Sequence, residues 1–160
     1  EKGYLKRGDL GARSLEVRGG RRRARPCCVE VPVKGRIAAG RPILAVEDDC
    51  GTITVDRHLV RGRPAYALRV EGDSMEEDGI LHGDYVVIQQ QETADDGEVV
   101  VALIKDEATL KRFYREGDRV RLEPAKRGMA PIYVNGGEFR IQGRVLGVQR
   151  ILGCAVPFRA

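Results

Sequence analysis

The chain has 160 residues, of which 42% are hydrophobic and 32% are charged, and its formal net charge is +4. This length and composition predict one sizeable hydrophobic core with a small appendage. No apolar run approaches the roughly 18 residues of a membrane span, and no charged-then-apolar leader precedes a small-residue cleavage site. We therefore expect a cytoplasmic protein rather than a membrane or secreted one. The initial Glu1 predicts that the chain is a fragment of something longer.

The positive charge is concentrated at the N-terminal end. Residues 1–26 carry nine Lys and Arg against three acids, or +6, which leaves 19 against 21, or −2, for the remainder. This asymmetry favours a segment that faces nucleic acid, although a solvated basic linker would carry the same charge. The four cysteines, at positions 27, 28, 50 and 154, fit no zinc-binding spacing. We therefore expect reduced thiols, and neither a metal nor a cofactor.

Two short segments, Tyr4 to Arg7 and Ala12 to Val17, flank a glycine-containing turn and predict a hairpin. A hairpin of this size is not stable alone, and it resembles the wing of a winged helix-turn-helix domain whose helices are missing. The glycine- and arginine-rich run that follows predicts a flexible linker. We assign residues 1–18 to the remnant wing and residues 19–28 to the linker.

The next two segments differ in character. Val29 to Val33 alternates in hydrophobicity, and Pro32 demotes it to a predicted edge strand. Segment 35–42 is bounded by glycine and proline and has small residues at its centre. Small side chains let a backbone enter a narrow cleft, and glycine permits unusual dihedral angles at a cleavable bond. An ordinary exposed loop would have the same composition.

From Thr52 onward, short strands alternate with turn signals. The predicted strands are Thr52 to Val55, Tyr66 to Val70, Tyr85 to Gln89, Glu98 to Ile104, Glu107 to Tyr114, Arg119 to Glu123, Ile132 to Val134 and Phe139 to Val148. Helical turns are predicted only near residues 57–61 and 75–80. Strands at this spacing without a long helix predict a mostly β, antiparallel β-rich domain.

One serine and one lysine form a candidate Ser-Lys dyad. Ser74 follows the turn signal Gly72-Asp73, so its hydroxyl should project from the end of a strand. Lys111 falls within a predicted strand, where the period of two puts it on one face with Thr109. A serine needs a base to take its proton, and a buried lysine kept neutral can be that base, oriented here by Thr109. A turn serine and a solvent-facing lysine are the ordinary alternative.

Several motifs agree in order and spacing with one known family. They are Val70 to Met75, Asp78-Gly79-Ile80, Gly83-Asp84, Gly97 to Ala102, Thr109 to Arg112 and Leu122-Glu123-Pro124. Together they resemble the LexA repressor family of self-cleaving Ser-Lys proteins, and the match covers roughly residues 1 to 150. The resemblance implies a LexA/signal-peptidase-like catalytic fold, preceded by the remainder of a winged helix-turn-helix domain. Family members often carry an Asn after Pro124, which this chain lacks, so we expect the contacts of that loop to differ.

The resemblance also implies the roles of individual residues. Ser74 is the implied nucleophile, Lys111 the general base, and the peptide between Ala39 and Gly40 the substrate. The backbone amides of Ser74 and its immediate neighbour would stabilise the oxyanion. The supporting residues are Thr109, Asp73 and Met75. The cleavage loop, residues 35–42, should rest mostly away from the dyad, because a repressor must not cut itself constantly.

The implied partners follow from the same resemblance. They are a second copy of the chain in a homodimer, operator duplex DNA bound by the N-terminal domain, and a RecA filament on single-stranded DNA that stimulates cleavage. Residues 29–152 would form the self-cleaving and dimerisation domain, and residues 153–160 a tail without a role. Two alternatives stay open: a self-cleaving accessory protein of error-prone DNA synthesis, and a non-catalytic β-domain regulator with an inert serine and lysine. The wing-like hairpin argues against the first alternative.

Overall fold

The computed structural model describes residues 5–7, 15–17, 27–39, 51–105, 107–135, 137 and 139–152. These residues form mostly β-strands. The strands are β1 Leu5–Arg7, β2 Leu15–Val17, β3 Cys28–Ala39, β4 Thr52–Asp56, β5 Ala65–Gly72, β6 Tyr85–Gln90, β7 Val99–Ile104, β8 Glu107–Glu116, β9 Arg119–Glu123, β10 Ile132–Asn135 and β11 Phe139–Gln149. One helix, α1, spans Arg57–Val60, and a 3-10 turn spans Glu76–Asp78.

Strands β3 to β11 form one nine-stranded sheet in the order β10-β9-β8-β7-β11-β6-β5-β3-β4. Strands β1 and β2 form a separate antiparallel pair. A further pairing joins β3 to β8, so β8, β7, β11, β6, β5 and β3 close into a ring. Neighbouring strands are antiparallel, apart from the two parallel pairings that β3 makes with β5 and β8. The predicted fold class, mostly β and antiparallel, is confirmed.

The predicted hairpin and the predicted strands from Thr52 onward are all present, with somewhat different ends. The two helical turns also lie where they were expected. The Asp56 side chain begins α1 by accepting a 2.7 Å hydrogen bond from the amide of His58, and Arg61 ends it in the left-handed region. No helix in the described part of the chain is long and apolar enough to cross a membrane.

The prediction for β3 was wrong in one respect, because residues 35–39 continue the strand rather than forming a loop. β3 lies between β4 and β5 in the order of the sheet, but the predicted edge segment has β4 as its only partner as far as Pro32. Its first half pairs with β4 as far as Pro32, and its second half pairs with β5 from Val33 onward. The change of partner occurs where proline removes a donor and where Gly35 adopts φ 120°, next to a register shift. These two residues therefore move the strand between partners instead of ending it.

A hydrophobic cluster fills the ring of strands beneath the candidate dyad. It includes Val70 at the end of β5, Met75 just after it and Leu110 in β8, and none of the three has exposed surface. Burying side chains of this size stabilises a fold by roughly 1.5 to 3 kcal/mol each. The cluster therefore fixes both the turn that carries Ser74 and the strand that carries Lys111.

Candidate active site

Ser74 lies on a tight turn at the end of β5. The strand ends at Gly72, whose φ of 97° suits glycine and reverses the chain direction. The amide of Glu76 then donates to the carbonyl of Asp73 over 3.1 Å, which closes the turn. Ser74 has no exposed surface, and the buried side chain of Met75 anchors the turn in the core. The predicted position of the serine, at a strand end, agrees with this geometry.

Lys111 projects from β8 into the same buried region. Its Nζ is 2.8 Å from Ser74 Oγ, 3.1 Å from Thr109 Oγ1 and 2.9 Å from the carbonyl oxygen of Leu110. The lysine is 2% exposed, and Val100 lies opposite it on β7. Burial disfavours the charged amine and lowers the pKa of Lys111 to about 8. The structure thus brings together Ser74, Lys111 and Thr109, as the sequence predicted. The contact with the Leu110 carbonyl could not be predicted from the sequence.

The three contacts match the valence of a neutral amine. Such an amine has two N–H donors and one lone pair. The donors can satisfy Thr109 Oγ1 and the Leu110 carbonyl, which leaves the lone pair for the hydroxyl proton of Ser74. The arrangement can therefore accept a proton from the serine without any other group moving.

Comparisons with known proteins show the family of the chain. A family model described as Peptidase S24-like matches residues 32–146. The LexA repressor of Myxococcus xanthus is 47% identical over 164 residues, which cover 94% of this chain and 74% of that protein. The LexA repressor of Anaeromyxobacter dehalogenans strain 2CP-1 is 49% identical, with coverage of 94% and 77%. The LexA repressor of Anaeromyxobacter sp. strain K is 51% identical, with coverage of 91% and 65%.

The chain belongs to the Peptidase S24-like family, among the LexA repressors. The chain spans about two thirds to three quarters of the length of these LexA relatives.

The segment that approaches the dyad of this S24-like chain is the second half of β3. Ala38 pairs in parallel with Thr109 of β8, and Ala39 pairs with Gly72 of β5. The backbone at Ala39 therefore runs between the two strands that carry the dyad. The expectation that the cleavage loop rests mostly away from Ser74 stays a prediction, because the scissile peptide ends at Gly40. Gly40 lies outside the described residues, as does the rest of the predicted loop to residue 42.

One ion pair lies in the serine turn and a second lies just before β6, and sequence reasoning missed both. Lys126 contacts the carboxylate of Asp73, and this hydrogen bond lowers the pKa of Asp73. Lys126 occupies the loop after Pro124, where departure from the family pattern led us to expect different contacts. Arg150 donates to both oxygens of the buried Asp84, at 2.7 and 2.8 Å, and lowers its pKa. No periodicity in the sequence joins these distant positions.

The two side chains of the candidate dyad are closed to solvent, since Ser74 has no exposed surface and Lys111 is 2% exposed. A groove of about 1120 Å³ elsewhere has Lys34, Tyr66 and Arg140 in its lining and includes neither Ser74 nor Lys111. The described residues also contain no cluster of three or more His, Cys, Asp or Glu that could hold a metal ion.

Proposed function

We propose that this chain is the self-cleaving part of an SOS-response repressor that cuts its own Ala39–Gly40 bond with Ser74 as nucleophile and Lys111 as general base. The observation that carries the proposal is the 2.8 Å contact between Lys111 Nζ and Ser74 Oγ in a fully buried setting. Supporting it is the strand pairing that brings the backbone of Ala39 beside Gly72.

The chemistry follows from these groups. Ser74 Oγ attacks the carbonyl carbon of Ala39 while its proton passes to Lys111 Nζ. The negative charge on the carbonyl oxygen is stabilised by the amides of Ser74 and Met75, which donate to no other described backbone oxygen. The lysine then returns the proton to the amine of Gly40 as the peptide bond breaks. Water finally hydrolyses the ester on Ser74.

Attack within one chain needs no diffusional encounter, because the nucleophile and the substrate belong to the same polypeptide. Regulation must then change one of two populations. One is the fraction of chains whose scissile carbonyl lies against Ser74, and the other is the fraction whose Lys111 amine is neutral. A RecA filament on single-stranded DNA would stimulate cleavage by binding the engaged arrangement more tightly, which shifts the population without adding a catalytic group. A tenfold change in population requires only about 1.4 kcal/mol.

The remainder of the proposal concerns the whole protein. Residues 1–18 are the end of a winged helix-turn-helix domain that binds operator DNA, and residues 29–152 form the domain that cleaves and dimerises. Within the described residues, β11 pairs with β7 only as far as Arg144, so its last residues have one unpaired edge. The exposed side chains of Val148, Ile151 and Leu152 follow that edge. An apolar strand edge of this kind suits pairing with a second copy of the chain.

The experiment that tests the proposal measures self-cleavage of purified variants. Ser74→Ala and Lys111→Ala should each abolish it, whereas Lys34→Ala, which changes an exposed lysine of β3, should not. Circular dichroism should show the same β content in all three variants. Self-cleavage by the folded Lys111→Ala protein would exclude the lysine as the general base.

A second measurement tests the partner. A RecA filament with single-stranded DNA and nucleotide should co-sediment with the Ser74→Ala protein, because that protein can engage its strand but cannot cut it. A filament that accelerates cleavage yet does not bind this variant would favour a direct catalytic contribution from the partner.

A further inference from the structure

Two cysteines are consecutive in the sequence at the start of β3. Both thiols are free and exposed, and their Sγ atoms are 3.7 Å apart. Consecutive residues inside a strand point to opposite faces of the sheet, which would separate the two thiols. Cys27 precedes the strand, and only Cys28 belongs to it. The bend before the strand therefore brings both thiols to one side.

The backbone of this pair is held by β4. The amide of Arg57 donates to the carbonyl of Cys27 over 2.8 Å, and Cys28 lies opposite Asp56 in the strand pairing. The two thiols are thus presented from the end of an ordered sheet. A ligand that needs both would find them already placed, which reduces the entropy lost on binding.

A disulfide does not suit this pair. The Cα atoms of consecutive residues are about 3.8 Å apart, whereas disulfides join Cα atoms about 4.4 to 6.8 Å apart. Closing the bond would strain the backbone. The hydrogen bond between the thiols also raises the pKa of Cys28, and a protonated thiol exchanges slowly with disulfides.

A zinc site does not suit the pair either, because structural zinc takes four ligands. The described residues offer no cluster of three or more metal-binding side chains. The separation instead fits a single atom that needs only two sulfurs. Two sulfurs bound at about 2.3 Å to one pyramidal atom lie roughly 3.3 to 3.6 Å apart, slightly closer than the 3.7 Å observed here.

We propose that Cys27 and Cys28 form a dithiol site that chelates trivalent arsenic compounds of the arsenoxide class. Both S–H bonds break, two As–S bonds form, and the arsenic-bound oxygen leaves with the two protons as one water. Arsenic stays trivalent, so the step needs no oxidant or reductant. Once the first As–S bond has formed, the second is intramolecular, which strengthens binding about 100-fold or more.

The test uses the 160-residue chain carrying Cys50→Ser and Cys154→Ser, so that the adjacent pair supplies all of its thiols. The probe is phenylarsine oxide. Native mass spectrometry should find one phenylarsenic group per chain, added with the loss of one water, and a thiol assay should find both thiols blocked. A small dithiol should remove the group, and a monothiol should not.

Two variants in that background separate chelation from simple thiol reactivity. Cys28→Ser keeps one thiol and should bind about 100-fold or more weakly. Cys27→Ser combined with Glu30→Cys keeps two thiols at exposed positions but spaces them two strand residues apart, and it should bind about tenfold more weakly than the natural pair. Circular dichroism checks that each variant is folded.

Either of two results would overturn the proposal. Equal affinity of the Cys28→Ser variant would exclude chelation by two thiols. Equal affinity of the spaced pair would exclude any role for the 3.7 Å placement. Neither result bears on Ser74 or Lys111, so this proposal and the proposed function fail independently.

Discussion

The pH dependence of self-cleavage should report the buried environment of Lys111. Burial lowers the pKa of this lysine to about 8, so about one tenth of the amines are neutral at pH 7 and about nine tenths at pH 9. If the neutral amine is the base, the rate should rise about tenfold between pH 7 and pH 9 and then level off. An exposed lysine with a pKa of about 10.4 would instead give a rise of about 100-fold that continues beyond pH 9.

The assay follows loss of the intact chain on gels at half-unit steps from pH 6 to pH 10. The matched control is Lys34→Ala, which removes an exposed lysine and should leave the midpoint near pH 8. A rate that is flat across the whole range would exclude a lysine base for the limiting step. A rate that still climbs tenfold per unit above pH 9 would refute the lowered pKa.

The same lysine should make folding stability depend on pH. Its pKa is about 8 when folded and about 10.4 when unfolded, so the unfolded chain binds more protons between these values and stability rises with pH. The gain from pH 8 to pH 10 should be about 2 kcal/mol, at no more than about 1.36 kcal/mol per unit. Urea unfolding of Ser74→Ala should show this gain, and Ser74→Ala combined with Lys111→Met should not.

Three further predictions concern the frame around the dyad. Arg150→Met should lower the melting temperature because it leaves the buried Asp84 without its partner, and Asp84→Asn added to that variant should recover part of the loss. Gly143→Ala should cost about 1 to 3 kcal/mol in urea unfolding, since its Cβ would lie 2.5 Å from a backbone oxygen of β6, whereas Gly137→Ala meets nothing and should be near neutral. Lys126→Ala should slow self-cleavage only a few-fold, and about 1 M salt should remove the difference, because the ion pair is exposed.

Most of the fold could be predicted because its strands are short, alternating and separated by turn signals. The run Thr52 to Asp56 shows the regular case, with Ile53 and Val55 buried and their neighbours exposed. The full length of β3 was not predicted, because its proline was interpreted as the sign of an edge strand and its glycine as the start of a loop. Its alternation in fact continues past both residues to the buried Ile37. The period of two was a better guide there than the individual breakers.

The centre of the candidate site could be predicted for a different reason. Ser74 follows a glycine turn and Lys111 shares a strand face with Thr109, so local rules position all three. The contacts that depend on tertiary structure could not be predicted. Arg150 meets Asp84 across 66 residues, and Lys126 meets Asp73 across 53. Every residue has a backbone carbonyl, so the sequence could not single out that of Leu110. Only the fold brings it within reach of Lys111 Nζ.

The central claim is that this chain cuts itself at one bond with Ser74. Mass spectrometry of the wild-type chain and of Ser74→Ala after incubation at about pH 10 tests it most directly. The wild-type chain should give one fragment that ends at Ala39 and one that begins at Gly40, and Ser74→Ala should stay intact. Gly40→Asp should also block the reaction by adding bulk and charge at the bond. An intact wild-type chain, a new N-terminus at another residue, or the same fragments from Ser74→Ala would contradict the account.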